Sequence, residues 1–280
     1  MRFCIIGTGR SGTTLLHNLL NLHPDVFVFN ETHWIPKMYE FYGTGEAYPI
    51  DFINIIQKTF HVTGQAVTNI NKSHILSLFE KNKPITAQHF CDTIGLMFAT
   101  NEGKQYWADK TPDYGPYLSV IQHLWPDCKF IHMIRHGADT ALSMSQHPGF
   151  QWMASAGDDY WSHASFNQYF RQISPTHCPL DEYVQLWSRR LLRIQNEAKR
   201  LKMGSYYELR LEDLVTYPDE TLRYIAKFTN ISCDEFWLVN AISKIDANRI
   251  QLRKNERRLD ILGERERELL KSLGYALNDN

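Results

Sequence analysis

Three glycines, an arginine and several hydroxyls stand together near the start of the chain, as Gly7-Thr8-Gly9-Arg10-Ser11-Gly12-Thr13-Thr14. The chemistry such a group offers is anion binding. Glycines let a chain turn tightly and bring its N–H groups close to a ligand. N–H groups converging at a helix start favour a phosphate or a sulfate. Arg10 adds a planar fork of donors that suits two oxygens of one such anion. The alternative is a tight turn with no ligand. Further along, Lys110 lies in Asp109-Lys110-Thr111-Pro112, and Arg135 is followed eight residues later by Ser143. A carboxylate at Glu31 could take a proton from an acceptor hydroxyl, with His33 as the second candidate base.

The elements that must position these groups are legible around them. Phe3-Cys4-Ile5-Ile6 is an apolar run, and Leu15/Leu19, Leu16/Leu20 and Leu19/Leu22 recur at helical spacing, so the loop sits between a strand and a helix. Asp25-Val26-Phe27-Val28-Phe29 reads as a second buried strand, which puts Glu31 just beyond its carboxyl end, where ligands bind in open α/β sheets. Glu31 could instead cap a helix beginning near Pro36 or pair with a surface lysine. Gln105-Tyr106-Trp107-Ala108 reads as a third strand with Lys110 at its carboxyl end, locked by the turn before Pro112; the alternative for Lys110 is a surface lysine in a turn. Phe130 to Ile134 is a strand ending at Arg135, with a helix through Leu142 and Met144; Arg135 and Ser143 can converge on one phosphate. Otherwise Arg135 neutralises Asp139 or another carboxylate. Tyr206 to Leu214 reads as a further parallel strand and turn, and Pro218 starts a helix ending near Thr229.

The spacing of Gly7 and Gly12 matches the opening of a Walker A loop, G-x-x-x-x-G-K-[ST], but Thr13 stands where the lysine belongs. Gly9-Arg10-Ser11-Gly12-Thr13-Thr14-Leu15 resembles the 5′-phosphosulfate loop of sulfotransferases that use 3′-phosphoadenosine-5′-phosphosulfate (PAPS). His23-Pro24-Asp25 and Glu31-Thr32-His33-Trp34-Ile35-Pro36 are similar to the tyrosylprotein sulfotransferase branch. The resemblance implies that Glu31 is the catalytic glutamate. It implies that Gly9, Arg10, Ser11, Gly12, Thr13 and Thr14 hold the 5′ end of the cofactor, that Lys110 contacts it near the transferred group, and that Arg135 and Ser143 take its 3′-phosphate. The family's R-[DH]-P is Arg135-His136-Gly137 here, and Leu211 occupies a position usually held by tyrosine. Arg253 and Lys254, in a stretch with five cations in ten residues, are candidates to close over the 3′-phosphate or form a solvated charged stretch.

Composition sets the frame. The 280 residues are 43% apolar and 22% charged with a net charge of −1, as expected for one soluble α/β domain, residues 1–280, and not for a nucleic-acid binder. An anion site must therefore be built locally. Five scattered cysteines suggest reduced thiols. No apolar run approaches a membrane span, and the first strand begins almost at Met1. A cytoplasmic protein is the expectation, in contrast to the membrane-anchored animal members of the tyrosylprotein branch.

The expected fold is a P-loop-type parallel sheet flanked by helices. The expected reaction is sulfuryl transfer from PAPS to an acceptor hydroxyl, a phenol or alcohol, of a small molecule or a tyrosine. It leaves 3′-phosphoadenosine-5′-phosphate (PAP), with Glu31, Lys110 and Arg10 catalytic and no metal. A homodimer is left open. The alternatives are a small-molecule kinase on the same loop, which would need a lysine after Gly12 and magnesium ligands, and a nucleotide-binding module that would not need Glu31. Trp34, Tyr39, Phe41, Tyr42 and Tyr48 line an acceptor pocket or simply pack. Residues 146–180 are expected to form a lid, an acceptor-binding insertion or a self-packed helical insertion. Leu180 to Met203 is expected as a long helix with Arg189, Arg190 and Arg193 on its solvated face, and Glu264 to Leu273 as a surface helix.

Overall fold

A computed structural model of the chain describes residues 1–63, 71–157, 178–246 and 258–277. Its central sheet is built from β1 (Phe3–Gly7), β2 (Val26–Asn30), β5 (Tyr106–Lys110), β6 (Lys129–Ile134) and β7 (Tyr206–Arg210). The spatial order is β2-β5-β1-β6-β7, and every pairing is parallel. β3 (Glu46–Ala47) and β4 (Ile85–Thr86) form a two-residue antiparallel ribbon that the sequence did not announce.

Helices cover both faces of the sheet, so its strands read as near-continuous apolar runs. Alternate residues of β1 point to opposite layers. Cys4 and Ile6 pack with Phe29, Trp107 and Phe130 against α2 (Ile35–Tyr42), α3 (Pro49–Thr63) and α5 (Ala87–Asn101). Phe3 and Ile5 pack with Val28, Ile131 and Leu209 on the other side, against α1 (Thr13–Asn21). A third apolar cluster joins Ile134 to α7 (Gly137–Ser145), α8 (Pro148–Ala156) and α9 (Leu180–Ala198).

The strand order places the site. The chain leaves β1 toward β2 and β5 on one side and returns to β6 and β7 on the other, so the loop after β1 lies where the winding reverses. Ligands of open α/β sheets bind at the carboxyl ends of strands at such a reversal. Lys110, the last residue of β5, flanks this loop on one side, and Arg135, just past β6, flanks it on the other.

Several expectations change in detail. Lys110 closes its strand as expected, but the strand runs on past Ala108, because β5 stays paired with β2 through Asn30 opposite Lys110. Leu211 opens a helix, α10 (Leu211–Thr216), directly after β7, instead of continuing strand and turn. The long helix stops at Ala198, not Met203. Arg189 and Arg193 are exposed as expected, but Arg190 is not on the solvated face: it is buried and donates from Nη2 to buried Asp113, which the Pro112–Tyr117 turn carries beneath α9. The final helix, Glu264–Ser272, is anchored by buried Leu270 and Glu266. The lid expectation falls partly on α8 and otherwise on residues 158–177, outside the described residues, as do Arg253 and Lys254.

Candidate functional site

Left-handed backbone shapes the glycine loop. Gly9 and Gly12 have φ of 79° and 93°, and Arg10 between them has φ of 55°. The glycines also admit close neighbours: a Cβ on Gly9 would lie 2.5 Å from Phe150 Cζ, and one on Gly12 would lie 2.6 Å from Leu211 Cδ1. Leu211, at the position usually tyrosine, thus backs the loop by packing. Gly12 precedes the first turn of α1, which carries no acidic side chain, so the helix start stays electropositive. The Ser11 hydroxyl is buried and has no hydrogen-bond partner among the described residues. A buried hydroxyl left without a partner is costly, and an oxyanion is a partner of the right chemistry.

Two cationic groups flank the loop. On the β6 side, Arg10 Nε donates to Ser143 Oγ at 3.2 Å and Arg135 Nη1 donates to the Arg10 carbonyl at 3.3 Å. Arg135 and Ser143 are both nearly buried. The strand end and the helix two turns later therefore meet at the loop. His136 caps that helix, its Nδ1 accepting from the Ala138 N–H at 3.3 Å.

On the β5 side, Lys110 Nζ donates to Glu31 Oε1 at 2.5 Å. Lys110 is 1% exposed and Glu31 23%. The two alternatives for these residues do not match this geometry. Lys110 is not a surface lysine, and Glu31 does not cap α2, whose N-cap is Trp34. His33 Nε2 lies 3.7 Å from Glu31 Oε2, and its Nδ1 is buried without a hydrogen-bond partner among the described residues. Glu31 and His33 both have positive φ, 59° and 56°. For residues with a Cβ that conformation costs roughly 1–3 kcal/mol each and clusters at functional sites.

The arrangement brings together Arg10, Arg135 and Ser143 as one set and Lys110, Glu31 and His33 as another, with the loop between them. Thr13 is buried at the helix start and Thr14 is exposed. Trp34 is core, while Phe41 and Tyr48 are exposed, so these three do not share one pocket wall.

Some neighbours escaped the sequence reading. His147 caps α8 through its Nδ1, which accepts from the Gly149 N–H at 3.2 Å. Burial, and then the charge of Arg10, hold its imidazole below the usual histidine range. His17 on α1 is likewise pulled down by burial, and it feels both Lys110 and Glu31. Only the apolar face of α1 was visible in sequence, which carried no signal for His17; His147 had no periodic pattern around it. Asp109 stood in plain view beside Lys110. It is fully buried, accepting from Thr32 Oγ1 at 2.5 Å and Thr111 Oγ1 at 2.6 Å. Burial pushes its carboxyl up to about 6.

Comparison with known proteins settles the family. The sulfotransferase family model matches residues 3–235, most of the chain. The chain belongs to the sulfotransferase family. Its relatives include protein-tyrosine sulfotransferase A of Caenorhabditis elegans, 22% identical over 232 residues, 82% of this chain and 50% of that protein. The protein-tyrosine sulfotransferase of Drosophila melanogaster is 23% identical over 257 residues, 91% of this chain and 43% of that protein. The chain thus spans half or less of the length of these two curated relatives. Among solved structures, the sulfotransferase domain from the curacin biosynthetic pathway superposes with a TM-score of 0.63 at 20% identity, covering 99% of this chain and 98% of that one. That likeness shows the same parallel-sheet fold. No described helix is long and apolar enough to cross a membrane.

Proposed function

We propose that this sulfotransferase-family chain transfers a sulfuryl group from PAPS to the hydroxyl of a phenol or alcohol. The observation that carries the reading is the Glu31–Lys110 pair, a carboxylate and a buried ammonium 2.5 Å apart at adjacent strand ends beside the glycine loop. The residues present fit PAPS: a buried Ser11 hydroxyl lacks a partner among the described residues, the left-handed glycines at 9 and 12 turn the loop into a helix start free of acidic side chains, and the surrounding donors are cationic. Gly9, Arg10, Ser11, Gly12, Thr13 and Thr14 would hold the 5′ end, and Arg135 with Ser143 the 3′-phosphate. When bound, PAPS supplies the sulfuryl group and a leaving phosphate.

The chain's own residues supply positioning and charge. Glu31 accepts the proton of the acceptor hydroxyl through a carboxylate oxygen. Lys110 holds the carboxylate in place and puts a fixed positive charge where negative charge develops. Arg10 and the loop N–H groups do the same from the other side, without rearranging. Fixed cations stand where a nucleoside triphosphatase would use a P-loop lysine and magnesium. Five free cysteines, three of them buried, suit a reducing compartment, and the proposal includes residence in the cytoplasm.

The test is incubation with ³⁵S-labelled PAPS and a panel of phenols, alcohols, sugars and tyrosine peptides. Label moving to one acceptor class supports the reading. Label that moves to none, while ATP with magnesium phosphorylates a member of the panel, overturns it.

A further inference from the structure

We propose that Asp109, Thr32, Thr111 and Tyr114 form a buried clamp whose task is to position Glu31 against Lys110; its catalytic meaning rests on the reading of Glu31 as the acceptor's base. None of the four is assigned to contact the cofactor or the acceptor. They are positioning residues.

The hydrogen-bond directions make the case. Each threonine hydroxyl has one proton, and each donates it to Asp109: Thr32 Oγ1 to Oδ2 at 2.5 Å and Thr111 Oγ1 to Oδ1 at 2.6 Å. Tyr114 must therefore donate its O–H to Thr32 Oγ1, and its oxygen in turn accepts from the Ile35 N–H at 3.2 Å. Thr111 Oγ1 accepts from the Thr32 N–H at 2.9 Å. Two chains result. One runs from the Ile35 N–H through Tyr114 and Thr32 to Asp109, the other from the Thr32 N–H through Thr111 to Asp109. Every donor is used once, and both chains end on the same carboxylate. All four side chains are buried.

What the chains hold is the segment carrying Glu31 and His33. The β2–β5 ladder closes at Asn30 opposite Lys110, and the Glu31 N–H adds a bond to the Lys110 carbonyl at 2.6 Å. Beyond that point no regular pairing remains, yet residues 31 and 33 must keep a strained positive φ. Thr32 lies between them and is bonded through both its N–H and its hydroxyl. Strain of this kind persists only where the surroundings over-determine it. Thr111 follows Lys110 directly, so one carboxylate ties the residue after the base to the residue after its cationic partner.

The direct reporter is the Lys110 ammonium, because it reads the pair without any acceptor. A buried ammonium held by a carboxylate exchanges its protons slowly, and in ¹H–¹⁵N spectra it gives a cross-peak that the Lys110→Arg variant identifies by its loss. Glu31→Gln should weaken that peak, showing that it reports on the pair. Thr32→Val removes only the hydroxyl at nearly constant shape and should raise the ammonium exchange rate at least tenfold. Thr32→Ser, which keeps the hydroxyl, should restore it. Where Thr32→Val fails to fold, Tyr114→Phe cuts the outer end of one chain and should raise the rate several-fold. In turnover, Thr32→Val should lose ten- to a hundredfold while PAP affinity stays within twofold, the signature of a misplaced base rather than a damaged cofactor site. A Lys110 resonance unchanged in Thr32→Val or Tyr114→Phe overturns the clamp. Failure of the functional reading would show elsewhere, as Glu31→Gln turning over at the wild-type rate.

Discussion

Replacing Glu31 with glutamine keeps the side chain's length and one acceptor oxygen, and removes the charge and the basic site. Two effects follow, and their sizes separate them. Lys110, 1% exposed and 2.5 Å from Glu31, would exchange a charged acceptor for a neutral one. Hydrogen bonds to charged groups contribute about 1.5–3 kcal/mol against about 1 for neutral ones, so the folded state loses about 0.5–2 kcal/mol. For a chain of this size that is a fall of about 1–4 °C in melting temperature. Loss of a general base costs about 10²–10⁴ in rate. That range converts to about 3–5 kcal/mol of barrier at about 1.4 kcal/mol per decade. The catalytic effect is the larger, and it cannot come from unfolding, since a protein destabilised by about 0.5–2 kcal/mol stays folded at 25 °C. The assay pairs single-turnover rates at saturating PAPS with calorimetric PAP affinity and thermal melts. A rate loss below tenfold, or an affinity loss matching the rate loss, would refute the assignment of Glu31 as base.

Other outcomes follow from the same structure. Arg135→Ala removes the strand-end cation that bonds the Arg10 carbonyl and should weaken PAP binding about tenfold or more, by roughly the 1.5–3 kcal/mol of a charge-assisted bond, with melting temperature little changed; titration and scanning calorimetry read the two arms. Arg190→Met deletes one partner of a buried ion pair with Asp113 and should cost about 3–5 kcal/mol in denaturant unfolding, without a selective effect on PAP. Asp109 titrates near 6 in the folded chain, above the 3.8 of a free aspartate, so between those values the folded state holds the proton that the unfolded state releases. Stability should therefore fall as pH rises from about 4 to about 6 and level off above, a loss of about 3 kcal/mol at about 1.4 kcal/mol per pH unit. Asp109→Asn should lack this component, and parallel wild-type and variant curves across that window would contradict it.

Most of the sheet was legible because parallel strands buried on both faces leave unbroken apolar runs, as in Phe3-Cys4-Ile5-Ile6 and Phe130 to Ile134. The glycine loop was legible because positive φ selects glycine at positions 9 and 12. Glu31 and Lys110 could each be placed at a strand end, but not joined, because a sequence separation of 79 carries no mark of which strands become neighbours. Arg190 was misjudged for a related reason. Its place among three arginines on one helix suggests a solvated face, and only the buried Asp113 turn, distant in sequence, explains why one of them points inward. The hydrogen-bond chains ending on Asp109 were invisible because threonine and tyrosine hydroxyls have no periodic signature.

The central claim is that the loop and its flanking cations were built for a 3′,5′-bisphosphorylated nucleotide. Titrating the full chain calorimetrically with PAP, with and without magnesium, and separately with ATP plus magnesium, tests it most directly. The account predicts tight PAP binding that does not change when magnesium is removed, and weak or no binding of ATP. Preferential, magnesium-dependent binding of ATP would contradict it.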